Sequence, residues 1–430
     1  MIKNKPIGCV FKMIGLVLLA AIIGMLLLWM VYLLPTDSMA KNVAASKDVL
    51  VKQDDSQFLL AEDYWKAYDL GTNIIMLHEI IIPSSGDALQ DSLLAPTADY
   101  IARWKSNWTD VLIEYATDRE YGEDDYVTYA RYWHGYLVVL KPLFMFMDLQ
   151  GIYILNGIVL MGLSIWITCL LKKRIGNYWI PYVVALLTMN PLAIVQSFQL
   201  STVFYATQIT MLLLLMKDNW KKEELLYIFV IDGVILAFLD FLTYPLVAFA
   251  FPVLTSILLD ETASIKNNLI KLVMRGIAFG VGYAGMWGMK WVLATLFTRE
   301  NVIMDAIESV LHRAGLTESE GDANFMSISI PDALQRNMSS YFNELTLVVL
   351  VIAVVLAALY VFRNKHMLQV KMNSLVVCGI MFLSPFVWIM ILHNHASLHP
   401  HLEWRTFAVL TYSIGVFVVS MFSKGKMIEV

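Results

Sequence analysis

Thirteen residues near the C-terminus, His393-Asn-His-Ala-Ser-Leu-His-Pro-His-Leu-Glu-Trp-Arg405, hold four histidines, Glu403 and Arg405. Imidazoles ligate metals, but the spacing H-x-H-x₃-H-x-H is not that of a common zinc motif. His393 and His395 suit hydrogen bonding around a phosphate or a sugar, with Arg405 as a bidentate fork on the phosphate. A polar solvated turn is the plainer alternative. Acids that could remove a proton lie far upstream. In Leu34-Pro-Thr-Asp-Ser-Met39, Asp37 follows an apolar run closely and is held near the membrane surface. A carboxylate there can act as a general base on a hydroxyl or hold a divalent cation against a phosphate. Thr-Asp-Ser is also ordinary helix-capping chemistry.

Asp69 and Asn73 are four apart and would share a helix face. The aromatics just before them, Tyr64, Trp65 and Tyr68, suit an interfacial belt better than a sugar-stacking surface. Arg131, His134 and Lys141 form a descending series of cations that fits a lipid-linked phosphate, or side chains snorkelling to anchor a helix. Asp240, in Asp-Phe-Leu-Thr-Tyr-Pro245, breaks two apolar runs; it either serves a polar ligand or caps its own turn. Lys290, about two turns from the end of its run, reaches either the headgroups or a phosphate. Asp232 lies deeper and needs a partner.

The elements that must position these groups are membrane helices. The chain has 430 residues, 58% of them hydrophobic, and a mean hydropathy of +0.63. Apolar runs of about the length that crosses a bilayer fall near 13–34, 152–171, 178–195, 200–216, 225–241, 243–259, 276–297, 345–362, 374–392 and 405–422, with a weaker run over 135–149. The first is longer than the roughly 7–15 apolar residues of a signal peptide and is expected to stay as an anchor. Cys9, Cys169 and Cys378 lie within or beside apolar runs, so a disulfide framework is not expected.

Pro35 to Trp133 is the polar exception. It holds 18 of the 36 acidic residues and 8 of the 31 basic ones, so it carries 8 − 18 = −10, while the rest carries 23 − 18 = +5. Basic clusters mark cytoplasmic ends: Lys3, Lys5 and Lys12; Lys172 to Arg174; Lys217, Lys221 and Lys222; Lys266, Lys271 and Arg275; Arg363, Lys365 and Lys371; Lys424 and Lys426. From the second cluster on, neighbours bracket two runs each. Parity then excludes a crossing by 135–149, which also holds Lys141 and Pro142, and leaves about ten crossings with both termini cytoplasmic. The same topology puts the acidic loop, seven of the eight histidines and the Asp240 turn outside. No internal repeat is visible, and there is no Walker loop, dinucleotide fingerprint, Gly-x-Ser-x-Gly or zinc-protease motif. Nothing points to nucleic acid.

Taken with Asp37, Asp69, Arg131-Tyr-Trp-His-Gly135, Asp240 to Pro245 and the His393–Arg405 turn, this layout resembles the GT-C superfamily of membrane glycosyltransferases. The resemblance covers nearly the whole chain. It implies an all-α polytopic bundle of about 10–11 spans whose large first extracytoplasmic loop bears the key acid. It divides the chain into residues 1–34, 35–133 and 134–430: anchor, loop with juxtamembrane helices, and bundle. It also implies transfer of a sugar from a polyprenyl-phosphate donor to a cell-envelope glycan or lipid acceptor, with inversion. Superfamily members commonly carry an acidic pair soon after the first span; here Ser38 follows Asp37, so Asp37 and Asp69 both stand as the catalytic acid. Arg131, Lys141, Lys290 and Arg405 are then expected at the donor phosphate, and His134, Asp240, His393 and His395 at the sugar or acceptor. A divalent cation is an optional cofactor, and no metal ligands are assigned. A flippase for a lipid-linked glycan and a non-catalytic assembly partner are the alternatives.

Overall fold

Long apolar runs with capped ends set the architecture. The computed structural model describes residues 5–55, 69–99, 107–118, 126–260, 264–317, 329–367 and 369–422. Tyr64, Trp65 and Tyr68, the acidic stretch 122–125, and Lys424 and Lys426 lie outside the described residues. The chain is an all-α polytopic membrane bundle. Its first helix, α1 (Lys5–Tyr32), leads into five shorter ones, α2 (Asp37–Ala45), α3 (Lys47–Asp55), α4 (Leu70–Ile81), α5 (Ala88–Leu94) and α6 (Trp108–Asp118). Two short strands interrupt the helical order. Pro96–Ala98 (β1) pairs antiparallel with Tyr126–Thr128 (β2), Thr97 opposite Val127, and so ties the end of the polar loop back to its middle.

The bundle proper follows. Helices α7 (Leu137–Phe144), α8 (Leu149–Ile175), α9 (Trp179–Thr188), α10 (Pro191–Val195), α11 (Phe198–Met216), α12 (Lys222–Leu239), α13 (Pro245–Leu259) and α14 (Ile265–Thr298) precede two amphipathic ones, α15 (Val302–Arg313) and α16 (Ile330–Tyr341). Then come α17 (Glu344–Asn364), α18 (Met372–Ile391), the short α19 (His393–Leu398) and α20 (Pro400–Glu403), and α21 (Ala408–Ser420). Side-chain caps fix many starts: Asp148 accepts from Gly151 N at 2.9 Å, and Asn343 from Thr346 N at 3.0 Å. Pro191, Pro245 and Pro400 each open a helix, where a missing N–H costs nothing.

Each of the ten expected runs is helical. Among the described residues, seven helical stretches are long and apolar enough to cross a membrane: Gly8–Tyr32, Leu149–Thr188, Phe198–Met216, Ile265–Thr298, Glu344–Asn364, Met372–Ile391 and Pro400–Ser420. The run at 178–195 differs from expectation, because left-handed Asn190 before Pro191 splits it into α9 and α10. Helix α13 has 15 residues and is enclosed, with Val247, Ala248, Ala250 and Phe251 fully buried. Helix α12 carries four charged residues, and its Asp232 bonds Thr210 Oγ1 at 2.8 Å. Protein rather than lipid surrounds much of these two helices, so neither needs full length or purely apolar faces. Helices α12 and α14 approach backbone to backbone through Gly233 and Gly282. A Cβ on Gly233 would collide with Phe279 O, and one on Gly282 with Val230 O. The 135–149 run yields only the eight-residue α7, about 12 Å at helical rise, too short to cross.

Candidate functional site

Helix α4 carries an acid at each end, and the two ends have different surroundings. At the start, Asp69 is the N-cap, its Oδ1 accepting from Thr72 N at 3.3 Å. Asn73, one turn on, fastens the helix to the α10–α11 junction. It donates to Gln196 O at 2.8 Å and to Tyr153 Oη at 3.0 Å, and accepts from Phe198 N at 2.9 Å. Asp69 and Asn73 therefore work at one end of one element, as their spacing suggests. Burial raises the Asp69 carboxyl to about 6; the Thr72 hydrogen bonds and the nearby Arg405 charge hold it from going higher. Asp69 Oδ2 has no hydrogen-bond partner among the described residues.

Arg405 comes from the other end of the sequence. It lies on a 3₁₀ turn, Trp404–Phe407, with no exposed surface. Its Nε donates to Met189 O at 3.2 Å and one Nη to His401 O at 2.6 Å; the other, Nη2, has no hydrogen-bond partner among the described residues. Tyr244, whose hydroxyl donates to Leu200 O, stands in the field of the same guanidinium. A buried acid with an open oxygen thus lies within electrostatic reach of a buried cation with an open N–H.

The far end of α4 presents Glu79. Its Oε2 accepts from Tyr136 Oη and meets His134 Nδ1 at 3.1 Å. His134 Nε2 lies 2.8 Å from Tyr129 O, so the imidazole is held at both nitrogens. Its backbone is left-handed at φ 55°, and Tyr129, Tyr132, Tyr136 and Phe241 surround its ring edge-on. His134 is thereby a buried member of a side-chain network.

Two of the four expected phosphate cations are occupied elsewhere. Lys141 donates to Ile80 O at 3.0 Å and lies 4.8 Å from the Tyr32 ring centroid. Lys290 donates to Leu93 O at 2.7 Å and sits over the Trp133 ring at 5.7 Å. Both are buried and tie the polar loop to the bundle through carbonyls at the C-terminal ends of α4 and α5, where helix carbonyls lack intrahelical donors. Those bonds give both lysines a structural role. Arg131 is half-buried, paired with Asp305 at 3.1 Å and set over the Tyr129 ring at 5.6 Å.

Asp240 is saturated by its own turn. It accepts from Leu242 N at 2.9 Å, from Thr243 N at 3.0 Å and from the Thr243 hydroxyl. Burial raises its carboxyl to about 6 against those bonds. Of its two expected roles, it performs the capping one. The turn it shapes offers Leu242 O to His395 Nε2 at 2.8 Å, and the same nitrogen lies 3.5 Å from Glu403 Oε1. Burial, with His399, Arg313 and His401 nearby, pushes His395 well below the usual imidazole range. Glu403 also accepts from Trp388 Nε1 at 3.1 Å. His393 is half-buried against Gly315, whose φ is 69°, and its Nδ1 has no hydrogen-bond partner. Asp37 begins α2 with its side chain exposed.

Residue types and spacing alone did not single out Arg313, at the end of amphipathic α15. Its guanidinium lies 5.4 Å over the Tyr132 ring and hydrogen-bonds Tyr132, and its charge reaches Tyr129, Tyr283, His395, His399 and Glu403. The signal was present in sequence as one charged face on 302–313. Among the described residues no group of three or more His, Cys, Asp or Glu side chains is arranged to hold a metal ion. No known protein family matches the chain, and neither does any curated protein or solved structure.

Proposed function

We propose that this chain is an extracytoplasmic-face glycosyltransferase of the GT-C kind, held in the cell membrane with both termini cytoplasmic. It moves a sugar from a polyprenyl-phosphate donor to a cell-envelope glycan or lipid acceptor. The observation that supports this reading is a buried Asp69 carboxyl in the field of buried Arg405, each with one polar atom that has no hydrogen-bond partner among the described residues. An ionised Asp69 Oδ2 takes the proton from an acceptor hydroxyl. That oxygen attacks the anomeric carbon, the bond from this carbon to the lipid phosphate oxygen breaks, and the phosphate leaves with the electron pair. A single displacement inverts the anomeric carbon. Arg405 takes up the developing charge. Asp37, exposed at the start of α2, is the second candidate for the base.

The test is reconstitution. Purified protein in proteoliposomes, given a radiolabelled polyprenyl-phosphate sugar and cell-envelope acceptor, should release lipid phosphate in step with sugar transferred. Movement of intact lipid-linked sugar across the bilayer with no phosphate released would instead establish a flippase.

A further inference from the structure

Helices α11 and α12 run from the site just described to an opposite end with its own chemistry. There the ends of α8, α11 and α13 and the start of α12 surround a cavity of about 240 Å³. Arg174, Lys217 and Asp260 line its polar side; Trp220, Leu225 and Leu259 line its apolar side. Arg174 pairs with Asp218 at 2.7 Å and donates to Leu215 O at 2.9 Å. Lys217 pairs with Glu224 at 2.8 Å and lies 4.3 Å over the Trp220 ring. Buried Arg275 bonds Ser256 Oγ at 2.9 Å and shares Asp260 with Lys271. Four basic side chains thus meet three carboxylates, and the excess is one positive charge.

We infer that this cavity binds the phosphate headgroup of an anionic membrane phospholipid. Three features favour that ligand over a soluble anion. The cavity lies at the level where apolar helices end and basic residues gather, which is headgroup level. One wall is aromatic and aliphatic, so it accepts a glycerol backbone and the first acyl carbons. On α11, which ends at the cavity, Met216 and Leu213 are exposed. The Lys217–Glu224 pair is partly exposed on both sides. Such a pair contributes little and can open for a phosphate without loss of fold. Arg174, held by two backbone carbonyls, stays in place as the second donor. The inference is independent of the sugar-transfer reading and concerns the other end of the bundle.

The full-length protein, purified in a neutral detergent and stripped of lipid, is titrated with dioleoyl phosphatidylglycerol, dioleoylglycerol or sodium phosphate. Thermal unfolding and native mass spectrometry are the readouts. Phosphatidylglycerol should raise the unfolding temperature and remain bound as one adduct, and dioleoylglycerol should do neither. Lys217→Gln, at an exposed position, should keep the fold and lose most of the shift; Arg174→Gln should lose the adduct. A shift of equal size with dioleoylglycerol, or one unchanged in both variants, overturns the proposal. A shift with sodium phosphate matching that of the lipid overturns the lipid as its source.

Discussion

The Arg405 guanidinium stands close enough to Asp69 to pull its carboxyl back toward the charged form, yet Asp69 Oδ2 and Arg405 Nη2 each remain without a hydrogen-bond partner. Charges that attract without closing a hydrogen bond leave room for a third group. Because burial raises Asp69 from 3.8 to about 6, the folded chain holds that proton more tightly than the unfolded one. The resulting stability is full below the lower value and is lost as pH rises through the higher. Activity has the opposite sign, since a base must be ionised. Sugar transfer should therefore rise with pH through about 6. In Arg405→Gln the surviving activity should rise at higher pH, because the opposing cation is gone. Rate against pH in both proteins checks this, and a limb that stays put contradicts it.

Lys290 supplies a contrast with Arg405. Its ammonium already serves the carbonyls of Ser92 and Leu93. Lys290→Met should leave those acceptors buried without a donor, at a cost of about 1–3 kcal/mol, while the donor KM stays unchanged. Chemical denaturation in detergent measures the first and steady-state kinetics the second. A raised KM with stability intact would return Lys290 to the phosphate.

Glu79 and His134 make a third case. Both are buried, and Glu79 also receives the Tyr136 hydroxyl. Glu79→Ala removes the acceptor from two buried donors at once, and truncating one partner of a buried pair typically costs about 3–5 kcal/mol. The variant should show a large drop in unfolding temperature, and Glu79→Gln, which keeps an acceptor, a smaller one. Equal drops would mean that charge rather than hydrogen bonding holds this cluster.

The bundle was readable in sequence because lipid-facing helices must be apolar across the bilayer core, and α1, α8 and α17 each hold such a stretch. The break at Asn190 was less visible, since Leu, Ala and Val continue on both sides of Pro191. Asp69 and Arg405 could be named from residue type, but nothing in the spacing of one loop and one distant turn says that they meet. The structural contacts of Lys141 and Lys290 were hidden for a related reason. A lysine beside an apolar run looks like a surface cation until the partner carbonyls of Ile80 and Leu93 come in from far along the chain. Arg313 escaped because it stands singly on an amphipathic helix, and its setting of Tyr129, Tyr132 and Tyr283 forms only on folding.

The central assignment is the base, and one comparison reaches it most directly. Sugar transfer from a polyprenyl-phosphate donor is measured in membranes carrying equal amounts of unaltered protein, Asp69→Asn and Asp37→Asn. Asp69→Asn should fall by more than about tenfold, the equivalent of roughly 1.4 kcal/mol of barrier, with unfolding temperature retained and Asp37→Asn close to unaltered. Full activity in Asp69→Asn would contradict the account.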